Sequence, residues 1–390
     1  MRNEFDNRTI VETLNASDLA TKFIGTIESA KIIEEQTMHQ VYRVVGSNSV
    51  VYVKVGKPND KDKGEREMRI EAGWYNKFKD KLKLPDAPEA IYIAHDGNHF
   101  VLIGEVVGPT YQDLLNQAKS DSEKIGLLED IIKVSAKIAV DGANLNRNEP
   151  GVHPAFFGGF NAGEAGFLNN RTLKNLPRGL TDAKHVEAIG GALQVAAPEL
   201  TNPDNWLFYR DATPLNWIKS QNGNVVPVDL GSTSYRPVGL EIVALIETPG
   251  TGIEHFSEDV RLGLRGEYRI ALEKTAVGTG IKVQSPEYFE TLFHLSSLVK
   301  NASGIASRMI HIDDTIAKIV STQDEEKKMY EKRLPANIEG RDFHIQRAYV
   351  AAGHLMDMGY QANKIEPAYV ALKGMADKSS NVLKTIEVSA

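Results

Sequence analysis

The chain changes character once, near residue 110, and no other feature limits its possible folds as much. Before that point, short runs rich in valine and isoleucine alternate with turn residues: "AKIIEEQ" (30–36), "HQVYRVVG" (39–46), "SVVYVKVG" (49–56), "EAIYIAHD" (89–96) and "HFVLIGEVVG" (99–108). Such runs read as strands, and the "GSNS" and "DGN" between two pairs of them suit hairpin turns. Only "KGEREMRIEAGWYNKFKD" (63–80) breaks the series, with Met68, Glu71, Ala72 and Tyr75 at helical spacing. After residue 110 the segments 110–117, 121–145 and 180–200, and nearly everything beyond Asp229, carry helical patterns. Residues 147–180 are rich in glycine, asparagine and proline and read as an irregular insertion. The expected fold is α+β and two-lobed, with a small antiparallel sheet plus one helix over residues 1–106 and a larger helical lobe over 107–390.

Bulk properties narrow the function classes. A chain of 390 residues is too long for one small core. Its net charge of −7 lacks the basic excess of a nucleic-acid binder. It has no cysteine, which removes disulfides, thiolate metal sites and a cysteine nucleophile. No 18-residue apolar stretch and no apolar signal core occur, so a cytoplasmic protein without membrane contact is expected. The ten histidines form no His-x-x-x-His or His-x-His pair. His311 and His344 fall in helical segments and read as polar or packing residues. The Gly-Thr-Gly sequences within 250–256 and 276–283 do not follow a strand and open a helix, as a phosphate loop must, and read as helix-joining loops.

The segment "YRDATPLNW" (209–217), followed by "VVPVDLGS" (225–232), carries the chemistry. Asp211 and Asn216 are five residues apart, and a turn ("SQNGN") and a strand ("VVPV") separate Asn216 from Asp229. A hairpin there would carry Asn216 and Asp229 to one place. One anionic and one neutral oxygen donor suit Mg²⁺, which keeps waters and phosphates in its other positions. Asp211 could accept a proton from an attacking hydroxyl. Asp-x₄-Asn also occurs at Asp141–Asn146, but there no apolar strand and Asp-x-Gly follow.

With these residues in place, the chain resembles the protein-kinase-like fold, in the style of the aminoglycoside phosphotransferase and choline kinase group of small-molecule kinases. The resemblance covers about residues 30 to 235. It implies a catalytic loop at 209–217 with Asp211 as base, and a metal segment at 226–232, with Asn216 and Asp229 as magnesium ligands. It further implies that Lys54 in "VYVKVG" meets the α- and β-phosphates of ATP and that Glu71 orients Lys54. The linker in "FVLIGEVVG" would hold adenine through Glu105 to Val107. The implied activity is transfer of the γ-phosphoryl group of ATP to a hydroxyl of a metabolite or aminoglycoside-like acceptor, with ATP and Mg²⁺ as cofactors. A kinase-shaped nucleotide-binding regulator and an AMP transferase are the alternatives. Three departures from the family pattern stand out: the loop 34–40 has no glycine, Tyr209 takes the place of a histidine two before the catalytic aspartate, and Gly108 comes only three residues after Glu105, which leaves the adenine register open by a residue.

Overall fold

The computed structural model describes residues 6–389 apart from 36–38, 57–60, 96, 149–173, 201, 203–204, 210–211, 231–233, 251 and 323. The chain divides into two compact units, Met1–Leu114 with Pro214–Thr233, and Leu115–Thr213 with Ser234–Ala390. The fold is α+β, as expected.

The first unit is built on a five-stranded antiparallel sheet in the order β1-β2-β3-β5-β4. Its strands are β1 (Ile27–Glu35), β2 (His39–Gly46), β3 (Val50–Gly56), β4 (Ala90–His95) and β5 (Asn98–Gly104). Two short helices precede it, α1 (Asn7–Asn15) and α2 (Asp18–Ile24), which the sequence reading missed. Each starts on a side-chain cap: Asp6 accepts from the Thr9 N–H and Ser17 from the Ala20 N–H. Their apolar residues Ile10, Leu14, Ala20 and Ile24 are buried with Val51, Val53, Val55, Phe100 and Leu102 of the sheet. Alternation along β3 then settles where Lys54 goes. With Val53 and Val55 committed to that core, Lys54 between them must emerge on the opposite face. That face meets α3 (Lys61–Asp80), whose Met68, Glu71, Ala72, Trp74, Tyr75 and Phe78 are buried.

The same unit takes in a later segment, Pro214–Thr233, so the division differs from the expected break after residue 106. A 3₁₀ turn (Pro214–Asn216) leads into the hairpin of β7 (Trp217–Lys219) and β8 (Val225–Pro227). The cause is strand addition: Lys219 N–H donates to the Pro109 carbonyl and Gln221 N–H to that of Val107, and Thr110 bridges Ile218. Asp86, in the loop after α3, accepts from Ser220, Asn222 and Asn224 of the hairpin turn. The approach at Gly108 leaves no room for a side chain, since a Cβ there would lie 1.9 Å from the Lys219 carbonyl oxygen. Gly108→Ala must push the hairpin away and is expected to lower unfolding stability by about 3 kcal/mol. Chemical denaturation measures this, and an unchanged midpoint would contradict the packing.

The second unit is helical apart from a two-stranded ribbon of β6 (Trp206–Tyr209) and β9 (Ser234–Pro237). Its helices are α5 (Asp121–Asn148), α6 (Lys174–Gly179), α7 (Ala183–Leu200), α8 (Gly239–Ile246), α9 (Glu258–Ala276), α10 (Pro286–Ser321), α11 (Asp324–Asp357) and α12 (Ala362–Ser389), and α4 (Tyr111–Gln117) leads into them. The Gly-Thr-Gly sequences sit in the α8–α9 and α9–α10 connections, as expected. Most of the insertion at 147–180 lies outside the described residues. Leucine, isoleucine and alanine from α6, α7, α10, α11 and α12 share one core. A buried polar network runs beside it: fully buried Glu247 accepts from Arg347, Ser297 and Asn301. His344 is buried with its Nδ1 2.8 Å from Asn301 Oδ1, a packing role like the one its sequence position suggested.

Candidate functional site

The site lies within the first unit. Lys54 is on β3, third of five strands, so it is not the solvated lysine of an edge strand. Its Nζ is 2.7 Å from Glu71 Oε1 and 2.6 Å from Asp229 Oδ1. The lysine and Glu71 are 9% and 1% exposed. Burial alone would discharge Lys54, but the two carboxylates outweigh it and hold the ammonium charged well above the usual lysine range. Burial pushes Glu71 up, and Asp229 adds to that against the pull of Lys54. One cation shared by two carboxylates leaves a net charge of −1 when all three are ionised. That surplus favours a further cation beside Asp229, whose side chain is 45% exposed.

The β7–β8 hairpin brings in Asn216 as the sequence spacing suggested. Trp217 pairs with Pro227, and one step further the Val228 N–H donates to the Asn216 carbonyl, so Asn216 and Asp229 flank the open end of the hairpin. Asp229 has φ +58, the left-handed region uncommon outside glycine.

Lys54, Asn216 and Asp229 form the polar end of a cavity of about 480 Å³. Val41, Ile103, Val106, Ile218 and Val228 give it apolar walls, and Tyr52 adds an aromatic one. This size and lining match pockets that take drug-sized ligands. Two oxygen-bearing side chains beside surplus negative charge fit Mg²⁺, completed by phosphate and water oxygens. Among the described residues no cluster of three or more acidic or histidine side chains offers a self-sufficient metal cage.

Two expected contacts fall elsewhere. Glu105 Oε1 is 2.8 Å from Arg43 Nε, its carboxylate accepts from the Tyr52 hydroxyl, and its N–H donates to the Val50 carbonyl. Val107 is half-exposed, with its carbonyl engaged by Gln221. Neither lines the cavity; Gly104 and Val106 do. Asp211 lies outside the described residues, as do positions 36–38 of the glycine-free loop. The sequence reading missed Tyr52 and Tyr75, both lining the cavity. The signal was present: Tyr52 is two residues before Lys54 on a strand, and Tyr75 is four after Glu71 on a helix.

No family model matches the chain, and no curated protein matches it. Solved structures similar to it include a spectinomycin phosphotransferase in complex with ADP and spectinomycin, at 9% identity and TM-score 0.46, covering 95% of this chain and 99% of that one. A second is an aminoglycoside phosphotransferase in a ternary complex with AMP-PNP and hygromycin B, at 10% identity and TM-score 0.42, covering 83% and 97%. A third is the apo form of a thermostable aminoglycoside phosphotransferase, at 11% identity and TM-score 0.45, covering 81% and 96%. Likeness at this level decides nothing about the site, which stands on its own geometry. No described helix is long and apolar enough to cross a membrane.

Proposed function

We propose that this chain is an ATP- and Mg²⁺-dependent kinase that transfers the γ-phosphoryl group to a hydroxyl of a small metabolite or aminoglycoside-like acceptor. The observation that carries this reading is the placement of Lys54 between Glu71 and Asp229 in the wall of a largely apolar cavity. A nucleotide has the same division, with a flat apolar base and an anionic tail. The base would lie among Tyr52, Val41 and Val106, in the stretch where Gly104 and Val106, rather than Glu105 and Val107, line the cavity. Lys54 has three N–H donors, two of them engaged by carboxylates, and would donate to a phosphate oxygen. Asn216 and Asp229 would hold the magnesium, which supplies charge neutralisation along the phosphates. Asp211, five residues before Asn216 in the chain, would accept the proton of the acceptor hydroxyl.

A screen of hydroxylated metabolites and aminoglycosides for stimulated ADP release tests the activity. With an acceptor in hand, Asp211→Asn is expected to lower kcat by roughly 10²–10⁴-fold with nucleotide affinity little changed. Full activity of that variant would remove Asp211 from the mechanism. Nucleotide binding without turnover for any acceptor would favour the regulator, and transfer of AMP rather than phosphate would show in product masses.

A further inference from the structure

We propose that Tyr75 is a positioning residue that holds Asp229 in its metal-binding conformation, coupling helix α3 to the metal end of the site. This rests on the kinase reading above. Asp229 occupies left-handed backbone space at φ +58, a conformation that L-residues adopt at a cost unless something holds it. That hold comes from helix α3: the Asp229 N–H donates to the Tyr75 hydroxyl at 2.9 Å. Tyr75 is 1% exposed, so little water competes for that bond. Burial and the neighbouring carboxylate of Glu71 both favour the neutral phenol, which keeps the hydroxyl in its un-ionised form.

The grip is double. Tyr75 follows Glu71 by four residues, so both side chains leave the same face of α3 one turn apart. Glu71 meets Lys54, and the N–H of Leu230 points at the Glu71 carboxylate and favours its charged form. The Asp229 N–H is thus held by one turn of α3, and its carboxylate by Lys54, which pairs with Glu71 one turn earlier. Of these contacts only the Tyr75 bond acts on the backbone of Asp229 itself, and so on the direction in which its carboxylate projects. Loss of the hydroxyl leaves the pair of Lys54 and Glu71 intact but removes this hold on the Asp229 backbone.

Tyr75→Phe tests this, because it removes one oxygen and keeps the buried ring. In the ligand-free protein, deuterium exchange of a peptide spanning residues 226–230 is expected to accelerate about tenfold in the variant, with α3 peptides unchanged. By isothermal titration, wild type should bind AMP-PNP more tightly with Mg²⁺ than without it. In the variant that Mg²⁺ enhancement should fall about tenfold or more, while metal-free AMP-PNP affinity stays within about twofold, a split that general loosening of the fold would not give. An enhancement in Tyr75→Phe equal to wild type overturns the inference and leaves the kinase reading standing. Failure of wild type to bind AMP-PNP at all overturns both. Exchange that accelerates equally across the whole sheet unit shows global destabilisation and also overturns it.

Discussion

Lys54→Met is expected to abolish nucleotide-dependent turnover and to lower the stability of the sheet unit by about 3–5 kcal/mol, because it leaves a buried carboxylate without its cation. Glu71 is 1% exposed and shares the Lys54 ammonium with Asp229. With the ammonium gone, burial and Asp229 both push the Glu71 carboxyl further up than they already do. A group whose folded pKa lies above its unfolded value contributes stability below the unfolded value and loses it as pH rises through the folded one. Lys54→Met should therefore be less destabilised near pH 5 than near pH 8, where Glu71 must either stay ionised unpaired or take up a proton. Glu71→Gln removes that penalty, so the double variant should lose less than the sum of the singles, a coupling of about 1–3 kcal/mol. Urea titrations of the four proteins at pH 5 and 8 measure it. Additive losses with no pH dependence would show that the two groups do not share a buried charge.

Much of this site was legible because short-range rules set it. Lys54 stands between valines in a β-branched run, so alternation alone separates it from the apolar face. Glu71 sits mid-helix, and a turn sequence between Trp217 and Pro227 makes a hairpin that returns Asp229 beside Asn216. What was not legible depends on long-range pairing or on phase. Nothing local says that residues 107–110 will take β7 as a neighbour, yet that pairing is what puts 214–233 in the sheet unit. In the linker, Val106 and Val107 are identical residues, so their composition cannot tell which faces the cavity. The structure decides it through Glu105, which is drawn to Arg43 and Tyr52. Helices α1 and α2 are only nine and seven residues long, too short for a clear helical period, and their apolar residues pack on the sheet face they cover.

Acidification from pH 7 to pH 5 is expected to remove about 4 kcal/mol of stability from the helical unit, through two buried histidines at roughly 2 kcal/mol each. Burial pushes His294 down to about 2, with Arg265 and His354 adding to it. Burial likewise pushes His344 down to about 3, helped by Lys300 and Arg308. Both rings are therefore neutral in the folded protein throughout this window. The unfolded chain takes up protons as pH falls through 6.5, the ordinary histidine value. A depressed folded value means the contribution is present above the unfolded pKa and lost as pH falls toward the folded one. His344 Nδ1 donates to Asn301 Oδ1, since the Asn301 amide nitrogen is committed to Glu247 and Ser297. The His344 ring also fills the space over Gly304, where even a Cβ would lie 2.6 Å from it. His294 stacks on His354 at 4.6 Å, and its Nδ1 has no hydrogen-bond partner among the described residues. Below pH 4.5 the loss continues at Glu247, where burial is outweighed by Arg347 and Ser297 and the carboxyl is held at about 2. His344→Asn places an amide N–H where Nδ1 stands and so keeps a donor for Asn301 without a titrating ring. It should cut the difference in unfolding free energy between pH 7 and pH 5 by about half, or roughly 2 kcal/mol. Urea titrations at both pH values decide it, and an unaltered difference in that variant would place the acid sensitivity elsewhere.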